Sequence, residues 1–319
     1  MPVKINPSAE STKKAPAAAH KQPSPKVTNK DRLKLLLPFF IASFALLIPV
    51  FVSMSRLKLP PELFNPALYN RISTMWFADL PHVPVANGYE PSMKKWYGLG
   101  ASADEKAAFD DLCKRTSLPA LEAVAPEKYP LPATDGTYQD ELNHASTVAR
   151  PFIEHINSIL DNEGSKNASM SALSILLLLD QMPRNIFRDQ QGLIYNHYDR
   201  LSRSFLRHIL RSPERLDRHS SVRDLATHRW FFYMPLMHSE HIEDHDTWKS
   251  LADEIREIAV EQKQEPVTAF LDNGLKFGKK HRDIVEQFGR YPYRNGVMNR
   301  NTTQAEKEWL ENGGETFGA

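Results

Sequence analysis

The chain has one cysteine, Cys113, in 319 residues. No disulfide can form within it, and no paired-cysteine zinc site can be built from it. It lacks a glycine-rich phosphate loop, a G-x-S-x-G elbow and an H-E-x-x-H helix, so the common signatures of nucleotide binding, esterase chemistry and zinc hydrolysis are missing. No stretch alternates apolar and polar residues long enough to specify a strand, which excludes sheet as the main element and predicts an all-α fold. Net charge is close to absent, at +1, but it is unevenly placed. Residues 1–34 hold eight Lys/Arg against Glu10 and Asp31, whereas 55–319 hold 32 basic and 37 acidic residues. A mildly acidic body lacks the basic footprint of a nucleic-acid binder. Cys113, with no histidine or motif beside it, reads as a packing residue.

Charge is missing altogether from Leu35–Met54, LLLPFFIASFALLIPVFVSM. Twenty residues at about 1.5 Å each reach roughly 30 Å, the thickness of a bilayer's hydrocarbon. Lys34 and Arg56 bracket the run, which reads as a retained single-pass transmembrane helix rather than a cleaved signal peptide. Before it, residues 1–34 are rich in Pro, Ala, Ser and Lys and read as a disordered basic tail. The surplus of positive charge on that side predicts a cytosolic N-terminus, and Asn167-Ala-Ser and Asn301-Thr-Thr are glycosylation sequons that can test the topology. Residues 55–67, with Pro60, Pro61 and Pro66, read as a linker, leaving 68–319 as the helical domain.

The densest apolar signal lies at Leu173–Arg188, LSILLLLDQMPRNIFR. A helix apolar on every side is buried on every side, so the polar cluster that ends it must find partners near the core. The periodicity predicts helices near Asp104–Arg115 and Ala145–Asp161, then Ser169–Gln181, Gly192–Arg211, Val222–Met234, Asp246–Glu261 and Val267–Phe288. A last helix is capped by Thr303 with Glu306 three residues on. Residues 117–138, with four prolines and Gly136, are expected to be mostly loop. On the helix over 192–211, Arg200, Arg203, Arg207 and Arg211 line the face opposite the apolar stripe and read as a solvated basic face.

Three of these helices end alike: in Asp180-Gln181 before Pro183-Arg184-Asn185, in Met234 before Pro235 and His238-Ser239-Glu240, and in Phe288-Gly289 before Arg290 and Arg294-Asn295. In an up-and-down array their C-terminal ends share one face. That would gather Asp180, Gln181, Arg184, Asn185, Arg188, His238, Ser239, Glu240, Arg290, Arg294, Asn295 and Arg300 into one polar pocket. Arginine forks there suit a carboxylate or another anion, while the alternative is a structural network of ion pairs. His238, His241 and His245 have loose metal spacing, but solvated positions at a helix start are the better reading, and no metal or cofactor is expected.

The motifs LLLLDQMPRNIFR, RWFFYMPLMHSE (Arg229–Glu240) and HRDIVEQFGRYPYRNGVMNRNT (His281–Thr302), with Arg71–Asp79 and Lys95–Gly98 before them, resemble the family called domain of unknown function 924. The resemblance implies an α-helical, tetratricopeptide-repeat-like array of antiparallel helices. Relative to the family pattern, Met182 stands for Phe, Gln287 for Arg and Tyr293 for His. Tyr293 removes one imidazole and leaves His238 and His281. Three functions are expected in order: binding of an anionic small molecule or acidic peptide; a hydrolase-like enzyme using His238 with Asp180 or Glu240; and a scaffold for a partner helix. The expected partners are thus a lipid bilayer through 35–54 and the anionic ligand, without nucleic acid.

Overall fold

The computed structural model describes residues 57–80 and 90–317. The stretches expected to form a basic tail and a transmembrane helix fall outside the described residues, among which no helix is long and apolar enough to cross a membrane. The described residues are helical throughout, without a strand. The main helices are α1 (Pro66–Phe77), α2 (Glu90–Tyr97), α3 (Ala103–Ala123), α4 (Tyr138–Val148), α5 (Arg150–Glu163), α6 (Ser165–Leu176), α7 (Met182–Ile186), α8 (Asp199–Arg211), α9 (Ala226–Met237), α10 (Ile242–Glu261), α11 (Glu265–Phe288) and α12 (Gln304–Glu311). The capping boxes at Ser102/Glu105 and Thr303/Glu306 start α3 and α12 as their spacing requires.

Helix α6 is the central rod. From Ala168 to Met182 every residue except Met170 is buried, and the small side chains Ala168, Ser171 and Ala172 let neighbours approach closely. It packs against α1, α5 and α9. The Ser174 hydroxyl donates to the Tyr69 carbonyl at 3.1 Å, so this core serine leaves no unmet polar group. The segment read as a linker also belongs here: Leu59 and Phe64 are buried, and Phe64 meets Phe152 edge-on with centroids 6.2 Å apart.

Four expectations from the sequence shift in the structure, each for a physical reason. The helix expected over 145–161 is two, because Pro151 cannot continue a helix from α4 but suits the first turn of α5. Helix α3 runs on through Pro119 to Ala123, into the stretch read as loop. Its last carbonyls are taken from outside: Tyr198 Oη donates to Leu121 O at 3.1 Å and His197 Nε2 to Val124 O at 2.7 Å. The basic face of α8 is solvated only at Arg211, since Arg203 and Arg207 are buried and both bind Glu141 at 2.9 Å. Arg207 also holds Asp244 on α10, and Arg200 donates to the Pro132 carbonyl. His245 is likewise buried rather than solvated, with Nε2 on the Ser239 carbonyl at 2.9 Å.

An aromatic layer joins the N-terminal helices to α9, α10 and α11. Trp96 Nε1 donates to the Trp76 carbonyl at 2.9 Å, and both rings meet Phe231. On the far side, Trp230 packs edge-on against Trp248 and Phe270. Gly274 and Gly278 sit one helical turn apart on α11 under these indoles. A Cβ on Gly274 would lie 2.2 Å from Trp230, and one on Gly278 would lie 2.0 Å from Trp248. Gly278→Ala is therefore expected to destabilise the fold by about 1–3 kcal/mol through overpacking. Urea unfolding followed by tryptophan fluorescence measures this, and an unchanged midpoint would contradict the packing described.

Candidate functional site

Two helices widen by one residue where they meet the site. Leu177–Gln181 forms a π turn, with the Met182 N–H reaching back five residues to Leu177 O. The cause is Pro183, which has no N–H to donate and whose ring collides with the carbonyl four residues earlier in a regular helix. The carbonyls of Asp180 and Gln181 then accept from side chains, Arg184 Nη1 at 2.7 Å and Asn185 Nδ2 at 3.0 Å. Ile194–Tyr198 is a second π turn, ending at Asp199. Single π turns inside helices are frequent at functional sites. Here they frame a bidentate ion pair, Arg184 to Asp199 at 2.7 and 3.0 Å.

Beside that pair, the buried Asp180 carboxylate receives His238 Nδ1 at 2.9 Å and Gln181 Nε2 at 2.5 Å. Burial alone raises a carboxyl pKa, but His238, Arg184 and the Gln181 bond outweigh it and hold Asp180 below its usual range. His238 is pulled below 6.5 by burial and by Arg184, against the opposing effect of Asp180. With Nδ1–H on Asp180, the imidazole keeps Nε2 as an acceptor.

Arg294 approaches from the C-terminal segment, in the short 3₁₀ turn Pro292–Arg294. Its guanidinium lies over three rings, 4.2 Å from the Tyr195 centroid, 4.3 Å from Tyr291 and 5.7 Å from Tyr293. Nη1 donates to the His238 carbonyl at 3.0 Å, while the buried Nε has no hydrogen-bond partner. The segment is pinned by Gly192, where a Cβ would stand 2.6 Å from the Val297 carbonyl oxygen. Glu240 lies behind, bound by Arg300 at 2.6 and 3.0 Å and by the Tyr291 N–H at 2.8 Å.

Gln181, Arg184, Asn185, Arg188, His238 and Arg294 line one cavity of about 750 Å³, within the range of small-molecule sites. Asp180 stands directly behind His238. The other expected residues lie elsewhere: Ser239 donates to Asp244 at 2.6 Å, away from the site. Arg290 binds Glu306 at 2.6 Å and Asn295 binds it at 3.2 Å, anchoring α12, and Arg300 serves Glu240. Arg188 faces the cavity but pairs with Asp110 on α3. Sequence reasoning missed Asp199, Tyr195 and the aromatic wall of Trp96, Tyr97, Trp230 and Phe270. His281, seen in the sequence as a motif residue, lines the cavity too, with Nδ1 on the Phe277 carbonyl at 2.8 Å and its ring stacked on Phe317.

Residues 72–314 match the family described as "Bacterial protein of unknown function (DUF924)". The chain belongs to this family. A solved structure, a protein of unknown function from Agrobacterium tumefaciens, is 27% identical over 65% of this chain and 99% of its own, with a TM-score of 0.35. No curated protein matches the sequence. In this DUF924 chain all three motifs contribute to the cavity: Arg184 from the first, His238 from the second, His281 and Arg294 from the third.

Burial also sets the acid response of the fold. His245 is held down to about 4 by burial, and His281 well below 6.5. A histidine whose folded pKa is depressed binds fewer protons folded than unfolded, so stability is complete above pH 6.5 and falls as pH drops towards 4. Carboxylates held low, such as Asp180 and Glu240, extend the loss below pH 4. Unfolding free energies from urea titration should therefore decline from pH 7 to pH 4, by roughly 1–3 kcal/mol from His245 alone. Flat stability across that window would contradict the neutral assignment of these rings.

Proposed function

We propose that the cavity binds an anionic small molecule. The reading is supported by Arg294, a buried guanidinium that lines the cavity, has no carboxylate paired with it, and keeps only one hydrogen bond, to a backbone carbonyl. Its positive charge is secured, since Asp199 and Glu240 favour the charged form despite burial. An anion entering the cavity meets this charge in a site of lowered dielectric, where a charge-assisted bond is strong. The cavity is proposed to sit in a tetratricopeptide-like arrangement, in keeping with tightly joined pairs such as α5–α6, carried on a bilayer anchor at 35–54.

The test is isothermal titration of the full chain with carboxylated and phosphorylated compounds. Arg294→Ala should weaken any anion by roughly tenfold to a hundredfold, the weight of a hydrogen bond to a charged group. An unchanged affinity in a variant that keeps its unfolding midpoint refutes the assignment.

A second reading, hydrolysis, is favoured by one observation, the 2.9 Å contact of His238 Nδ1 with Asp180. That geometry orients the imidazole, and a neutral Nε2 on the cavity side would serve as general base towards a water. A base must be unprotonated, and His238 is depressed, so activity would rise with pH, reach half its maximum below pH 6.5 and stay level above. Turnover that survives His238→Gln, or that is half-maximal above pH 7, would remove this reading.

A further inference from the structure

Building on the anion-binding reading, we infer that the ligand is a monocarboxylate carried on a bulky apolar body, rather than a polyanionic metabolite. The first ground is the distribution of charge. Six cations line the cavity: Lys94, Lys95, Lys106, Arg184, Arg188 and Arg294. Lys94 pairs with Glu105 at 2.6 Å, Arg184 with Asp199 at 2.7 Å, Arg188 with Asp110 at 2.7 Å, and Lys95 with Asp79. Lys106 is exposed, so water answers its charge. Among the described residues, Arg294 is then the buried lining cation to which no carboxylate is paired. One guanidinium accommodates one negative charge. A second charge held beside it would be desolvated without a partner, at high cost.

The second ground is the wall on which the rest of a ligand would lie. Trp96, Trp230, Met234 and Phe270 line the same cavity as Arg294 and give it an apolar wall. At the mouth, Tyr97, Leu99, Leu112 and Phe277 line the same cavity and are each 39–54% exposed. Large apolar groups gathered around one opening mark a binding surface more often than scattered ones do. The chain's own Phe317 already lies against this opening, stacked on His281 with centroids 3.5 Å apart. A small hydrophilic anion would leave all of this surface wet, whereas an acyl chain or aryl ring covers it.

The experiment is equilibrium dialysis of the full chain against acetate, octanoate, dodecanoate, 2-naphthoate, dodecanedioate, dodecanol and pyrophosphate, below micellar concentrations. Octanoate, dodecanoate and 2-naphthoate should bind, and acetate should not. Dodecanoate should bind at least tenfold tighter than octanoate, since complete burial is worth about fourfold per methylene. Phe277→Ser, at an exposed position that the fold does not need, should weaken dodecanoate severalfold, and Arg294→Ala at least tenfold. Pyrophosphate or dodecanedioate binding more tightly than dodecanoate overturns this inference and leaves the anion reading standing. Dodecanol binding as well as dodecanoate overturns the anion reading, and binding of no probe overturns both.

Discussion

The ion pair between Arg184 and Asp199 is the constraint on which the rest of the site depends. Asp199 directly follows one π turn and Arg184 lies three residues beyond the other, so the pair ties together the two places where the helical ladder is irregular. Asp199 is fully buried, and a buried carboxylate stripped of its guanidinium is among the costlier defects a core can hold. Arg184 also spans to the carbonyl of Asp180 and acts on its carboxylate, so one side chain fixes both acids. Once Asp180 is fixed, His238 is oriented. Once His238 is in place, its carbonyl receives Arg294. The order runs from the apolar rod outwards: α6 cannot leave the core, Pro183 widens its end, and the widened end presents Asp180 and Arg184 side by side.

A second buried network works in parallel without touching the cavity. Glu141 on α4 takes Arg203 and Arg207 from α8, and Arg207 passes on to Asp244 and through it to Ser239. The residue preceding the Ser239–Glu240 pair is His238. Holding Ser239 therefore fixes the backbone just after the catalytic candidate, while Glu240 binds the backbone of Tyr291, a wall of the Arg294 cage. The Asp244 and Glu240 contacts are thus supports, and their burial does not make them ligands. The distinction rests on direction: His238 and Arg294 line the cavity, whereas Ser239 and Glu240 point into the protein.

Much of this was legible in the residues because it follows from burial alone. A leucine run ending in Asp-Gln had to place those groups beside the core, and the similar ends of three helices had to share a face; Arg184, His238 and Arg294 do meet. Thr303 with Glu306 announced its helix start through a local bond that needs no tertiary context. What stayed hidden was whatever depends on a partner far along the chain. The arginines of α8 look solvated until Glu141 and Asp244, 62 and 37 residues away, arrive to pair with them. Helix α3 outlasts Pro119 because Tyr198 and His197 take its terminal carbonyls. A π turn leaves no periodic trace, being one extra residue, and Tyr195 enters the site through such a turn.

Tyr293, which stands where the resemblance implies a histidine, belongs to the Arg294 cage. A phenol ring offers a negatively polarised face to a cation at any pH near neutral, whereas an imidazole there would compete with Arg294 for charge whenever it protonated. Tyr293, at 5.7 Å, adds a third such face to those of Tyr195 and Tyr291 and also packs on the small apolar cluster of Ile284, Val285 and Tyr291. A tyrosine at this position adds no titrating imidazole beside Arg294 and supplies another ring face to a fixed positive centre. The same His238 that pairs with Asp180 through its ring receives Arg294 on its carbonyl, so the imidazole and the caged guanidinium are held by one short stretch of backbone.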